Sequence, residues 1–162
     1  MLVLRFTKRI DGSALLRCVR ADGSETWQKQ QGTHAVFFPL HDLTHYAVET
    51  ELGFRFGFYG LIAAGWEIAD TTGKTARGSL PNEAIEVEYI VSAFAAERAG
   101  GVASTAEEFN QLAATFANAR GMPLPRRLTE EGLAKVRSRF DELAAKWRSL
   151  PPGATLELIF PL

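Results

Sequence analysis

The sequence predicts an α+β fold: an N-terminal antiparallel β-meander joined by a C-terminal strand, with about five helices between them packed mainly on one face. Three observations carry this. Leu2, Leu4 and Phe6 alternate with Val3, Arg5 and Thr7, and Leu156, Leu158 and Phe160 alternate with Thr155, Glu157 and Ile159, which is the period of a half-buried strand. Asp11-Gly12 and Asp22-Gly23 are hairpin signals between the first strands. Between these ends the apolar spacing becomes helical, punctuated by glycine and proline. Strands at both termini with helices between them argue a single α+β domain over residues 1–162, a length that suits one core better than two.

The first strand runs through Leu2–Phe6 and turns at Asp11-Gly12, where a two-residue type I′ turn is expected because both its central positions need positive φ. A second strand covers Ala14 to Arg20 and ends at Asp22-Gly23. The third, Glu25 to Gln30, is polar enough to be an edge. A first helix is expected to open at Pro39, since the first turn tolerates a missing N–H, and to close at Gly53. A second helix is expected over about Phe54 to Ala69. Its glycines, Gly57, Gly60 and Gly65 among them, each cost about 1 kcal/mol against alanine and point to close backbone approach. Pro81 starts a third helix, which Gly100-Gly101 ends. Thr105 and Glu108 form a capping box for a fourth. Thr129 caps a fifth, with Leu133, Val136, Phe140, Leu143 and Trp147 on one stripe. The last strand, Thr155 to Phe160, is expected beside the meander.

Composition excludes several classes. Lys plus Arg is 18 and Asp plus Glu is 19, so no general charge attracts nucleic acid or an anionic membrane. Cys18 is the sole cysteine, which excludes an intramolecular disulfide and a Cys-rich zinc site; its place in a strand reads as a buried apolar residue. Residues 1–10 lack a signal-peptide pattern. The longest apolar-rich stretch, residues 53–68, is shorter than the roughly 20 residues of a bilayer span. A cytoplasmic protein with no membrane partner is the expectation. Thr72-Gly73-Lys74-Thr75 lacks the earlier glycine of a phosphate loop, Ile68 standing there. Arg120, Arg126 and Arg127 read as solvated surface.

All three histidines lie between His34 and His45. His41 and His45 are four apart on a helix, so their rings share one face, a recurrent way for one helix to offer two nitrogens to a metal. Glu49 extends the stripe, but eight residues of helix span about 12 Å, too far for His41 and Glu49 to grip one ion. Glu49 leans back toward His45 and is placed to hold its second ring nitrogen. The third ligand is expected from His34 or from an acid on another helix, Glu83, Glu86 or Glu88. Asp42 is the candidate base, with Glu49 as the other proton carrier.

His41-Asp42-Leu43-Thr44-His45 resembles the H-E-x-x-H helix of zinc proteases, with the shorter aspartate in place of the glutamate base. It is also similar to the H-D-x-x-H motif of a ubiquinone-biosynthesis family, in which a glutamate follows twelve residues after the second histidine; that position here is Gly57. The first resemblance implies a metal-dependent hydrolase and the pair together a divalent transition ion, zinc foremost. The function expected from these residues is metal binding centred on the His41/His45 helix, with hydrolase or lyase activity on a small-molecule ligand. The alternative is a non-catalytic domain binding a small molecule or a protein, its histidines purely structural.

Overall fold

The alternating segments at the two ends of the chain meet in one sheet. The structure is a computed structural model describing residues 1–162. Strands β1 (Leu2–Lys8), β2 (Ala14–Arg20), β3 (Glu25–Gln30) and β4 (Thr155–Phe160) form an antiparallel sheet in the order β3-β2-β1-β4. The polar β3 is an edge, as expected. Leu4 pairs with Cys18 on one side and Leu158 on the other. Leu2, Leu4, Phe6, Leu16 and Cys18 are buried on one face, and the helices cover that face. Burial raises the Cys18 thiol well above its usual range, the behaviour of a small apolar core residue.

The two Asp-Gly turns differ from expectation in type. Only glycine has positive φ at each, 83° at Gly12 and 85° at Gly23, so neither is type I′. The amide of Gly12 donates to Arg9 O and that of Gly23 to Arg20 O, closing an ordinary β-turn whose last residue is left-handed. Asp11 and Asp22 each accept from the amide and hydroxyl of the serine two residues on. That side-chain clasp stabilises a right-handed aspartate and so selects the longer loop.

Helix α1 (Thr33–Leu52) begins six residues before the expected start, and Pro39 lies inside it. Its first turn follows Gly32, whose φ is 59°; Pro39 forgoes one amide bond in the body of the helix. Gly53 ends it in the left-handed conformation, as expected.

The segment read as one helix over about Phe54 to Ala69 is broken. Only Phe58–Ala63 is α-helical (α2), and Ile68–Thr72 is a 3₁₀ turn. The break is tertiary in origin. Glu83 accepts from the amides of Arg55 and Phe56 at 2.5 and 2.8 Å, holding them out of a helical ladder. The expected close approach is real: a Cβ at Gly60 would lie 1.9 Å from Arg55 O.

Helices α3 (Asn82–Gly100), α4 (Ala106–Ala119) and α5 (Glu130–Ser149) fall where the sequence puts them. The Thr105/Glu108 capping box is formed in both directions, and Thr129 accepts from Gly132 N. The whole stripe from Leu133 to Trp147 is buried. Helix α1 is central, packed on α3 and α5, with α4 against α3. Arg126 and Arg127 are exposed, as expected, and also paired: Arg126 with Glu86, stacking over Phe54, and Arg127 with Glu107. No helix is long and apolar enough to cross a membrane.

Candidate metal centre

The i, i+4 spacing of His41 and His45 brings their rings edge to face, with centroids 4.9 Å apart. Helix α3 crosses α1 at this level and adds Glu88. One ligand atom from each of His41, His45 and Glu88 lies within 4.8 Å of the others. Two imidazoles and a carboxylate make up the donor set of several catalytic zinc sites, in which three protein ligands leave a position open. His45 is 2% exposed, whereas the Glu88 side chain keeps 44% of its surface in solvent. The group therefore has a closed floor and an open side.

His45 is held from both ends. Its Nε2 lies 3.0 Å from Glu88 Oε1, and its Nδ1 lies 3.4 Å from Glu49 Oε1. The second contact is not directed well enough to be a hydrogen bond, and Nδ1 has no other partner. Electrostatics separate the two rings. Burial disfavours the charged form of His45, but the charges of Glu88 and Glu49 outweigh it and carry the pKa up to about 10. For Glu88 burial is likewise outweighed, by the His45 charge, and its pKa falls to about 2. Burial, then the neighbouring His45 charge, press His41 down to about 4. These shifts favour a neutral His41, ready to ligate, beside a charged His45 paired with an ionised Glu88.

Glu49 lies beside His45 Nδ1 without a hydrogen bond to it, and its carboxylate is engaged elsewhere. Its carboxylate accepts from Tyr59 N and Gly60 N at 3.1 and 3.2 Å, tying the start of α2 to α1. It is 1% exposed, so its oxygens are committed within the fold. Asp42, one residue from His41, points to the sheet side of α1. It is 4% exposed and accepts from Gln30 Nε2 at 2.9 Å; burial raises its pKa to about 7 against the opposing Gln30 bond. Successive helical residues are about 100° apart, and Asp42, turned toward the sheet, is held there by Gln30. In the H-E-x-x-H comparison that removes the aspartate from the position of a base.

His34 is exposed in the first turn of α1 and is not among the three converging residues. It sits seven residues before His41, about 10 Å along the helix, and packs edge-on against Phe38. Of the three acids considered, Glu83 is taken by Arg55 and Phe56, Glu86 by Arg126, and Glu88 alone reaches the histidines. Sequence reasoning did not find Arg98. It lies ten residues beyond Glu88 on α3, beside the groove that His41 lines, and no local pattern separated it from the other arginines. A comparison with known proteins gives no further guide: no protein family matches the chain, and no curated protein or solved structure is significantly similar to it.

Proposed function

We propose that the chain binds one divalent transition ion, zinc foremost, on His41, His45 and Glu88, and acts in the cytoplasm as a metal-dependent hydrolase or lyase on a small molecule. The observation that carries this reading is the convergence of two imidazoles and a carboxylate from two helices within 4.8 Å. A bound ion supplies Lewis-acid polarisation of a substrate oxygen or activation of water. His41 offers its lone pair without losing a proton, His45 must give one up, and Glu88 is already ionised. Glu49 lies 3.4 Å from His45 Nδ1, the place of a partner that would orient the ring once the ion is bound. Asp42 is kept out of this scheme by its bond to Gln30.

The test is calorimetric titration of tag-free protein with zinc at neutral pH. Binding of one ion, lost in His41→Ala/His45→Ala and weakened in Glu88→Gln, supports the reading; no binding by the wild type rejects it. A second reading draws on a specific contact. The 3.0 Å contact pairs His45 Nε2 with Glu88 without a metal, as in a non-catalytic domain with structural histidines. On that reading zinc does not bind, and His45→Ala acts on stability alone.

A further inference from the structure

His41 is shared between the metal group and a groove of about 480 Å³ between α1 and α3, a size suited to a small ligand. The walls are Val36, Phe37 and Leu40 on α1 and Ala95 on α3, and His41 and Arg98 also line it. Val36 is 74% and Phe37 54% exposed, unusually high for large apolar side chains beside a concave surface. No acid lines the groove. Arg98 is the one lysine or arginine that lines it.

A cation in the last turn of a helix is common, because it offsets the helix dipole. Arg98 is set apart by how it is held. Its guanidinium lies 4.0 Å from the Phe140 ring centroid, and one Nη donates to Thr44 Oγ1 at 2.9 Å. It makes no salt bridge, whereas Arg137, one helix away, is held by Glu97 and Ser104 O. An arginine propped on an aromatic face, with its orientation fixed and its remaining donors free, is pre-organised for an oxyanion.

We infer that Arg98 is the anion-recognising residue of this groove, which takes a small organic acid, a carboxylate or phosphate ester, with its apolar body against Val36, Phe37 and Leu40. The meaning of this site as a substrate pocket rests on the proposed metal at His41. The anion contact itself does not need the ion.

The experiment uses chelator-treated full-length protein and fluorine NMR titrations with three probes: 4-fluorobenzoate, 4-fluorophenyl phosphate and the neutral 4-fluorobenzyl alcohol. At least one anion binds about ten-fold more tightly than the alcohol, the scale of a charge-assisted contact. The tighter of the two identifies the anion class. Arg98→Gln removes the preference, and Arg98→Lys restores part of it. Phe37→Ser weakens all three probes while thermal unfolding stays unchanged, since that ring is largely exposed. The inference is overturned if the alcohol binds the wild type as tightly as both anions, or if Arg98→Gln keeps the preference. The metal reading is judged separately by zinc calorimetry. Anion preference without zinc binding rejects the metal and leaves the groove, and zinc binding without anion preference does the reverse.

Discussion

The Glu49 carboxylate occupies the space that a side chain at Gly57 would need: a Cβ there would lie 2.5 Å from Glu49 Cδ. Gly57 has φ of −75°, a value open to any residue, so the demand for glycine is one of room and not of backbone conformation. Gly57→Ala should therefore push Glu49 off the amides of Tyr59 and Gly60. The expected loss is about 1–3 kcal/mol, the usual cost of overfilling a packed site. Urea unfolding measures it, and a neutral result would show that Glu49 can move aside freely.

Phe140 joins the core to the proposed groove. It is 5% exposed on the buried stripe of α5, and its face supports Arg98. Phe140→Ala should cost about 3–5 kcal/mol. Phe140→Leu should cost less but still free the guanidinium, so anion affinity should fall further than stability does. Chemical denaturation beside the fluorine titrations separates the two effects; a loss under about 1 kcal/mol for the alanine variant would mean that the ring contributes little to packing.

The elements legible in the sequence are those whose causes are local. The Leu2–Phe6 and Leu156–Phe160 alternation, the Thr105/Glu108 box and the α5 stripe each depend on residues within a turn or two of one another, and each stands as expected. The misread segment, 54–69, is shaped by carboxylates from other helices, Glu49 and Glu83, which no period in its own residues announces. Pro39 misled because proline marks a helix start on average, while here Gly32 had already turned the chain. At the site, the His41/His45 pair was visible through its spacing. Glu88 was one of three acids on a helix whose rotation the sequence does not specify, and Asp42 is held away from the histidines by Gln30 of β3, a partner that no local pattern announces.

If the ion is held as proposed, substitutions around His45 should rank by distance from the metal. His45→Ala should abolish zinc binding, since it removes a ligand. Glu49→Gln should lower affinity by about 10–100-fold, as the loss of an orienting partner does. His34→Ala should leave affinity unchanged, the ring being exposed and outside the group. Competition against a chromophoric zinc chelator measures all three. A His34→Ala effect as large as that of His45→Ala would mean that the N-terminal turn of α1 supplies the third ligand instead of Glu88.

The proton on His45 links metal affinity and metal-free stability with opposite signs. Its folded pKa, about 10, lies above the ordinary 6.5, so its stabilising contribution is complete below pH 6.5 and lost as pH rises through 10. Asp42, raised from 3.8 to about 7, loses the last of its own share between about pH 7 and 8 with the same sign, and His41, lowered to about 4, adds little change once its unfolded form is neutral. Between pH 7 and 10 the metal-free protein should therefore become less stable, and His45→Gln should flatten that slope. Zinc must displace the same proton, so over the same range its affinity should rise by about tenfold per pH unit. Below pH 4, where His41 also takes a proton, the dependence should steepen toward two protons per ion. Thermal unfolding of chelator-treated protein across pH gives the first slope and zinc titration in matched buffers gives the second. A zinc affinity independent of pH between 7 and 9 would mean that neither His45 nor Glu88 carries a displaceable proton in the metal-free protein, and that their contact joins a neutral ring to an ionised carboxylate instead of being an ion pair.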